Sequence, residues 1–283
     1  MTSLDRTFDC TAPIRAVVRN QHGDVIIDLV ENAGTVGVTL DTRHPIDLEP
    51  VAPTFADGQL VVDLSHADRL NGGHSFPVTI RVEAPAGSDL RVDTGHGDVS
   101  AEGRINDGHL TTGLGVISVH EAAALTARSG SGDVSAHRVL GPLDVSTGSG
   151  DITVHENNST VRARTGSGDL TVSSVVQEGT LNSGSGDISI ATVHGLVRVS
   201  TGSGDISVRE LAGGSLQCNT AAGDITIGVR AGIPVWTDVN TLTGRVSSDL
   251  QGAGQPREGD AHLEIRASTV TGDISLREVS RVG

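Results

Sequence analysis

A column of aspartates is the clearest candidate for chemistry in this sequence. Aspartate follows glycine in the motif T-G-S-G-D-I, which returns every 18 or 19 residues between Asp133 and Asp224. Carboxylates stacked one per turn at about 4.8 Å repel by about 0.9 kcal/mol per neighbour in water, so they need hydrogen-bond donors or a cation. We expect backbone N–H groups and Ser or Thr hydroxyls at the corner to be the donors. The column comprises Asp98, Asp133, Asp151, Asp169, Asp187, Asp205, Asp224 and Asp273.

Two sets of side chains are weak metal candidates. The first is the middle of the aspartate column, which differs from the calcium-binding repeat G-G-x-G-x-D because that repeat has a period of nine and a residue between Gly and Asp. The second is a histidine strip in three consecutive turns, whose ring nitrogens at about 4.8 Å are too far apart for a tetrahedral site unless their rotamers converge. We therefore expect solvated ladders, no strong calcium site and no cofactor. The candidates are Asp151, Asp169, Asp187, Asp205, His120, His137 and His155.

Catalytic motifs are missing from the sequence. It contains no G-x-S-x-G elbow, Walker loop or H-E-x-x-H, and no paired Cys/His nucleophile. The G-S-G triplets lack the lysine and the helix of a phosphate-binding loop. Ladders of identical residues also provide no convergent acid and base. The sequence predicts that the protein is not an enzyme and has no catalytic residues.

Composition narrows the possible partners. The chain has 283 residues and a net charge of −15, all of its cations are arginine, and aromatic residues make up 1%. Nucleic-acid binding is excluded because the chain lacks both a basic surface and stacking rings. Cys10 and Cys218 are too few and too far apart for a disulfide framework, so we expect free buried thiols. No leader or membrane-length apolar stretch is present, which predicts no membrane insertion and a cytoplasmic location.

The elements that must position the aspartates follow from the repeat. The residue after the Asp position is a branched aliphatic and the next is Ser or Thr, so a strand begins there with its aliphatic side chains inward. A second apolar alternation precedes each corner. Strands this short bury their aliphatic side chains only when turns stack. The sequence predicts an all-β, single-stranded parallel β-helix of about ten turns. The structural corner glycines are Gly132, Gly150, Gly168, Gly186, Gly204 and Gly223.

Handedness and domain limits complete the predicted architecture. A left-handed hexapeptide helix requires an aliphatic residue every six positions, which the repeat does not show, so we favour a right-handed coil. Residues 1–88 are predicted to be an irregular β region that caps or begins the solenoid. Residues 89–283 are predicted to be regular β-helix with loop insertions near 229–238 and 250–260. Trp236 is expected to pack on the end as part of a cap.

The run from Ala84 to Val92 leads directly into Thr94–Val99 and then into the T-G-S-G-D-I repeats. This pattern resembles the bacterial adhesin-like β-helix family, a domain of unknown function, over about residues 14–279. The resemblance implies a β-helical fold and an adhesin-like role without a defined activity. Some relatives are exported, and some occur alongside envelope-stress systems.

Two functions are compatible with the sequence. The leading hypothesis is a non-enzymatic β-helical scaffold or adhesin-like interaction protein that binds an unknown protein partner or copies of itself, including by in-register end stacking. The alternative is an acidic nucleic-acid mimic or a cation-binding regulatory protein. Carboxylates along two outer strips would favour mimicry, whereas a single strip at the corners would favour a scaffold.

Overall fold

The computed structural model describes residues 2–10, 12–251 and 262–280. The chain divides into two compact units, residues 1–141 with 145–148 and residues 142–144 with 149–283. The regular secondary structure of the described ranges is almost entirely β-strand, with two short 3-10 helices at Glu49–Val51 and Ala67–Asn71. None of these helices has the length and hydropathy of a membrane-spanning segment.

The strands follow one another with short corners. Unit 1 contains β1 (Thr2–Asp9), β2 (Arg15–His22), β3 (Val25–Val30), β4 (Thr35–Thr42), β5 (Thr54–Ala56), β6 (Gln59–Asp63), β7 (Thr79–Pro85), β8 (Ser88–His96), β9 (Val99–Leu114), β10 (Ile117–Ser131) and β11 (Val134–Val139). Strand β12 (Leu143–Ser149) is divided between the units. Unit 2 contains β13 (Ile152–Asn157), β14 (Val161–Ser167), β15 (Leu170–Val175), β16 (Glu178–Ser185), β17 (Ile188–Val193), β18 (Leu196–Ser203), β19 (Ile206–Leu211), β20 (Ser215–Ala222), β21 (Ile225–Arg230), β22 (Val235–Thr243), β23 (Val246–Ser248), β24 (Leu263–Thr271) and β25 (Ile274–Val279).

Strands of successive coils pair in parallel and in register within unit 2. One sheet runs β14, β16, β18, β20, β24 and β22, and a second runs β13, β15, β17, β19, β21, β25 and β23. Equivalent residues of the repeat therefore become neighbours across the coils. The first aliphatic column is Ile152, Leu170, Ile188, Ile206, Ile225, Ile274 and Val246. The predicted all-β, single-stranded parallel β-helix is confirmed; its handedness stays a prediction.

The core is one layer of aliphatic side chains inside each coil. In β19, Ile206 and Val208 are buried while Ser207 between them is exposed. The same alternation in β14 buries Val161 and Ala163 and exposes Arg162. This period of two is the strand pattern that the repeat encodes.

The last coils of unit 2 do not stack in chain order. Strand β24 pairs with β20 on one side and with β22 on the other, and β25 lies in the same way between β21 and β23. The coil of residues 263–279 is therefore inserted between residues 215–230 and residues 235–248. The chain's final turn, Val270–Val279, is therefore not the outermost coil of the stack. The corner position of Arg245 precedes that of Asp273 by 28 residues instead of 18, which leaves enough chain to return to the inner position.

Unit 1 begins with a similar inversion. Strand β2 pairs in parallel with β8 and with β6, and β3 pairs with β9 and with β7, so residues 15–30 lie between two segments that follow them in sequence. Strand β4 then pairs antiparallel with β7, and β1 pairs antiparallel with β4. This end of unit 1 is closed by an antiparallel pair.

Two predicted insertions lie near the inverted end of unit 2. Around 229–238, β21 ends at Arg230 and β22 begins at Val235, which leaves residues 231–234 as the turn. The insertion expected near 250–260 lies, from residue 252 onward, outside the described residues.

Candidate functional site

Each corner is built on a glycine with positive φ. At Gly186, φ is 153°, and a Cβ would lie 2.1 Å from the carbonyl oxygen of Gly168 in the preceding coil. No side chain fits there, because the coils approach closely through their backbones. The corner glycines and their φ values are Gly132 (142°), Gly150 (152°), Gly168 (156°), Gly186 (153°), Gly204 (145°) and Gly223 (151°).

The aspartates of unit 2 form a hydrogen-bonded ladder at this corner. In each step, one carboxylate oxygen accepts the backbone N–H of the next residue in the column, at 2.7 or 2.8 Å. The aspartates therefore supply acceptors to corner amides that the tight turn leaves without a strand partner. The steps are Asp151 to Asp169, Asp169 to Asp187, Asp187 to Asp205, Asp205 to Asp224, Asp224 to Asp273 and Asp273 to Arg245. The ladder ends at Arg245, which has no carboxylate for a further coil.

Unit 1 contains a ladder of the same kind. The carboxylate of Asp24 accepts the N–H of Asp98 at 3.0 Å, and Asp98 accepts the N–H of Val116 at 2.8 Å. The sequence column began at Asp98 and missed Asp24. The signal was present, because the tetrapeptide His-Gly-Asp-Val occurs at residues 22–25 and again at residues 96–99.

Hydroxyl groups complete the corner. The Ser or Thr three residues before the corner glycine is buried, and its hydroxyl donates to the corner glycine's carbonyl in the preceding coil. Thr165 donates to Gly150 at 3.0 Å, and Thr201 donates to Gly186 at the same distance. Thr94 of β8 is an exception, because it is buried and its hydroxyl has no hydrogen-bond partner among the described residues. The hydroxyl contacts that do form are structural, because they join one coil to the next.

The histidines lie on outer faces and do not assemble into a metal centre. His120 and His137 stack with ring centroids 5.3 Å apart, and His120 Nδ1 lies 3.9 Å from a carboxylate oxygen of Glu102. His155 belongs to unit 2, where it has contacts of its own. Across residues 2–10, 12–251 and 262–280, no three His, Cys, Asp or Glu side chains come together as metal ligands. The absence of bound ions stays a prediction.

Both cysteines are free and buried. Burial raises the pKa of Cys218 to about 12, so the thiol stays protonated at neutral pH. The Cys10 thiol donates to the Ala12 carbonyl at 2.8 Å. Neither residue has the electropositive, accessible setting of a reactive cysteine.

The outward side of the β14–β16–β18–β20–β24 sheet presents columns of hydrogen-bond donors, which we call the arginine face. Its two columns are Arg162, Thr180, Arg198, Gln217, Arg266 and Arg164, Asn182, Ser200, Asn219, Ser268. Arg266 lies 2.6 Å from Glu264, and Arg198 lies 3.9 Å from Glu178. Arg162 and Arg164 are exposed and have no ion-pair partner among the described side chains.

The corresponding surface of unit 1 also carries arginines, and two of them lie beside aspartates. Arg19 lies 3.1 Å from Asp63, and hydrogen bonds from Ser65, with that of Arg19, lower the pKa of the Asp63 carboxyl. Arg91 lies 3.4 Å from Asp93 on β8. The arginine face of unit 2 differs in carrying two exposed arginines, Arg162 and Arg164, on one strand, which makes it our candidate for contacts outside the molecule.

Trp236 does not pack as a cap. It lies on β22, the outermost strand of its sheet, and is 50% exposed. Its register partner is Glu264, so the indole points to the outer side of the sheet, and Arg266 Cζ lies 5.5 Å from the ring centroid. The expectation of a packed ring was wrong because Trp236 stands on the outer face of its strand, away from the aliphatic core.

The chain is similar to one family model and to several solved structures. The family model described as Toastrack DUF4097 matches residues 16–277. A solved Parabacteroides distasonis protein described as a "putative lipid binding protein" is 13% identical, with 98% of this chain and 96% of that chain covered and a TM-score of 0.42. A "putative adhesin" from Bacteroides fragilis is 11% identical, with 97% of both chains covered and a TM-score of 0.36. A "putative adhesin" from Parabacteroides merdae is 14% identical, with 98% and 96% covered and a TM-score of 0.32. No curated protein matches the chain.

Proposed function

The chain belongs to the Toastrack DUF4097 family, and from that premise we propose that it is a non-enzymatic, adhesin-like scaffold that binds a macromolecular partner through the arginine face. The observation that carries this proposal is the arrangement of the polar residues. The parallel register sorts them into straight columns, one residue per coil, instead of gathering them around a cleft. Such columns suit an extended partner and not a small substrate.

The corner carboxylates support the same reading. Each has a backbone N–H to bind, so none is held ready as a general base or nucleophile. In each unit these carboxylates lie in a single corner column, which favours a scaffold over a nucleic-acid mimic. The donors of the arginine face also interrupt the negative surface that a mimic requires.

The arginine face has the chemistry of a contact surface. Arginine offers five N–H donors in a planar fork, and Arg162 and Arg164 hold theirs toward solvent. Asn182 and Ser200 beside them are joined by a hydrogen bond of 2.6 Å, which orders the neighbouring column. Repeated donors about 4.8 Å apart can bind a partner that carries acceptor groups along its length.

The test is partner capture with variants of this face. Tagged wild-type protein is purified from its native host with its complex sized in solution, beside the double variant Arg162→Glu with Arg164→Glu. The control is Arg209→Glu with Arg277→Glu, which makes the same charge change on exposed arginines of β19 and β25 in the other sheet. Circular dichroism and thermal melts establish that all three proteins are folded.

We expect a partner that copurifies with the wild type and the control but is lost from the face variant. Retention of that partner by the Arg162/Arg164 variant would place the contact elsewhere. A protein that stays without partners under all conditions would contradict the scaffold function itself.

A further inference from the structure

We propose that two copies of the protein pair edge to edge through β22, antiparallel, with Val239 on the two-fold axis. This inference goes beyond the proposed function, because it concerns a different surface and a second copy of the same chain. It starts from the exposed edge of the outermost coil of unit 2.

Strand β22 has an unpaired edge in the described structure. It pairs with β24 on one side, and no strand within residues 2–10, 12–251 or 262–280 pairs with its other side. The same coil exposes large apolar side chains, with Leu242 80% exposed, Trp236 50% and Val246 45%. A nine-residue strand with a free edge and exposed apolar side chains is a template for pairing with another chain.

The direction of the backbone groups shows which residues would pair. The carbonyl of Pro234 accepts the N–H of Leu263, so it points toward β24. Because successive residues of a strand point their N–H and C=O groups to opposite edges, those of Val235, Thr237, Val239 and Thr241 point away from β24. Val239, at the centre of the strand, therefore presents one donor and one acceptor at the free edge.

The sequence of β22 is self-complementary about that residue. If Val239 pairs with Val239 of a second copy, Thr237 meets Thr241 and Val235 meets Thr243, all β-branched. On the outward side, Asp238 meets Asn240 and Trp236 meets Leu242. Each pair is matched in shape or chemistry, and the two most exposed apolar residues of the strand cover each other.

Head-to-tail stacking fits the structure less well than this two-fold pairing. The aspartate ladder ends at Arg245, so a further parallel coil would find no carboxylate for its corner N–H. The outer strands β1 and β4 of unit 1 are antiparallel and offer no open coil end. A two-fold contact instead uses one surface twice and closes the assembly as a dimer.

A cross-linking experiment tests the register. One preparation carries Asp238→Cys and another carries Asn240→Cys, and they are oxidised separately and as a mixture. Across the proposed axis these two positions form a pair without ladder hydrogen bonds, with Cα atoms about 4.5 Å apart, which a disulfide can bridge. The native Cys10 and Cys218 are buried, so they leave the reaction to the introduced thiols.

We expect a cross-linked dimer from the mixture and little from either variant alone. Cross-linking of Asp238→Cys with itself would contradict the axis at Val239. If no preparation cross-links, the proposal is wrong, and the edge is covered by the protein's own chain or by another partner.

The oligomeric state is a second, independent readout. Wild type, Leu242→Asp and Leu196→Asp are compared by sedimentation; Leu196 is 56% exposed but lies on β18, away from the free edge. We expect dimers for the wild type and Leu196→Asp and a monomer for Leu242→Asp. Trp236 is the sole tryptophan, and its emission should shift to longer wavelength only in the monomer. A wild-type monomer, or a polymer that grows with concentration, would overturn the proposal.

Discussion

Replacing one carboxylate of the ladder separates two effects of its negative charge, a stronger hydrogen bond and repulsion between neighbouring aspartates. Asp187 accepts the N–H of Asp205 at 2.8 Å, and its own N–H donates to Asp169. The negative charge strengthens the hydrogen bond, since bonds to charged groups contribute about 1.5–3 kcal/mol against about 0.5–1.5 for neutral ones. The same charge is repelled by the carboxylates of Asp169 and Asp205. At about 4.8 Å, two such neighbours cost about 1.7 kcal/mol in water, which falls to about 1 at physiological salt.

Asp187→Asn keeps an acceptor and removes the repulsion. The weaker hydrogen bond and the relieved repulsion each amount to about 1 kcal/mol and act in opposite directions. We therefore expect the free energy of unfolding to change by at most about 0.5 kcal/mol at physiological salt and to rise slightly at low salt. Asp187→Ala also removes the acceptor and should lose about 1 kcal/mol. The free energy of unfolding from urea titrations at low and high salt measures these differences.

Asp273 provides a matched control inside the ladder. It has an acidic neighbour in Asp224, but on its other side is Arg245. Asp273→Asn therefore relieves half of the repulsion and should be less favourable than Asp187→Asn by about 0.9 kcal/mol at low salt. The reasoning is refuted if Asp187→Asn is strongly destabilising at low salt, or if calcium raises the melting temperature of the wild type but not of Asp169→Asn with Asp187→Asn. Either result would mean that a cation balances the column.

Three further outcomes follow from the corner and the core. Gly186→Ala should lower the free energy of unfolding by more than about 3 kcal/mol, because the φ of 153° and the Cβ 2.1 Å from the Gly168 oxygen both disfavour alanine. Gly232→Ala, at φ 80° in open space, should lower it by about 1–2 kcal/mol. The urea midpoints of the two variants measure the difference. Thr201→Val should lose about 1 kcal/mol with its bond to the Gly186 carbonyl, and Thr201→Ser should lose less, as thermal melts will show. Cys218 should resist thiol reagents at pH 9 in the folded protein and react at once in urea, because burial raises its pKa to about 12.

The regular coils were predictable because the separate features of the repeat all indicate the same local structure. The aliphatic residue after the Asp position, the hydroxyl after it and the corner glycine each require the same strand and the same turn. The backbone N–H donors for the carboxylates could be named in advance, since a turn without ladder partners has N–H groups to satisfy. The expectation that Ser and Thr hydroxyls also donate to the carboxylates is wrong, because these hydroxyls donate to the corner glycine carbonyls.

The ends could not be predicted in the same way. A repeat says which residues are equivalent, but it does not say which coils are neighbours in space. Only the strand pairing in the folded structure shows that β22 is the edge strand and that Trp236 is exposed. The self-complementary sequence of β22 can be seen in the amino-acid sequence, but it indicates pairing with a second copy only when the edge of β22 is known to be free.

The inverted coils at both ends also set an order of assembly. Residues 15–30 pair with strands on either side that are synthesised after them, so this coil waits for residues 59–102 before both of its edges are paired. At the other end, residues 235–248 reach their final neighbours only when residues 263–279 have been made. The middle of the chain can grow one coil at a time as it leaves the ribosome, whereas both ends wait for later chain. Removal of the residues after 262 should accordingly release two coils and not one, because residues 263–279 also hold the earlier coil of residues 235–248 in place.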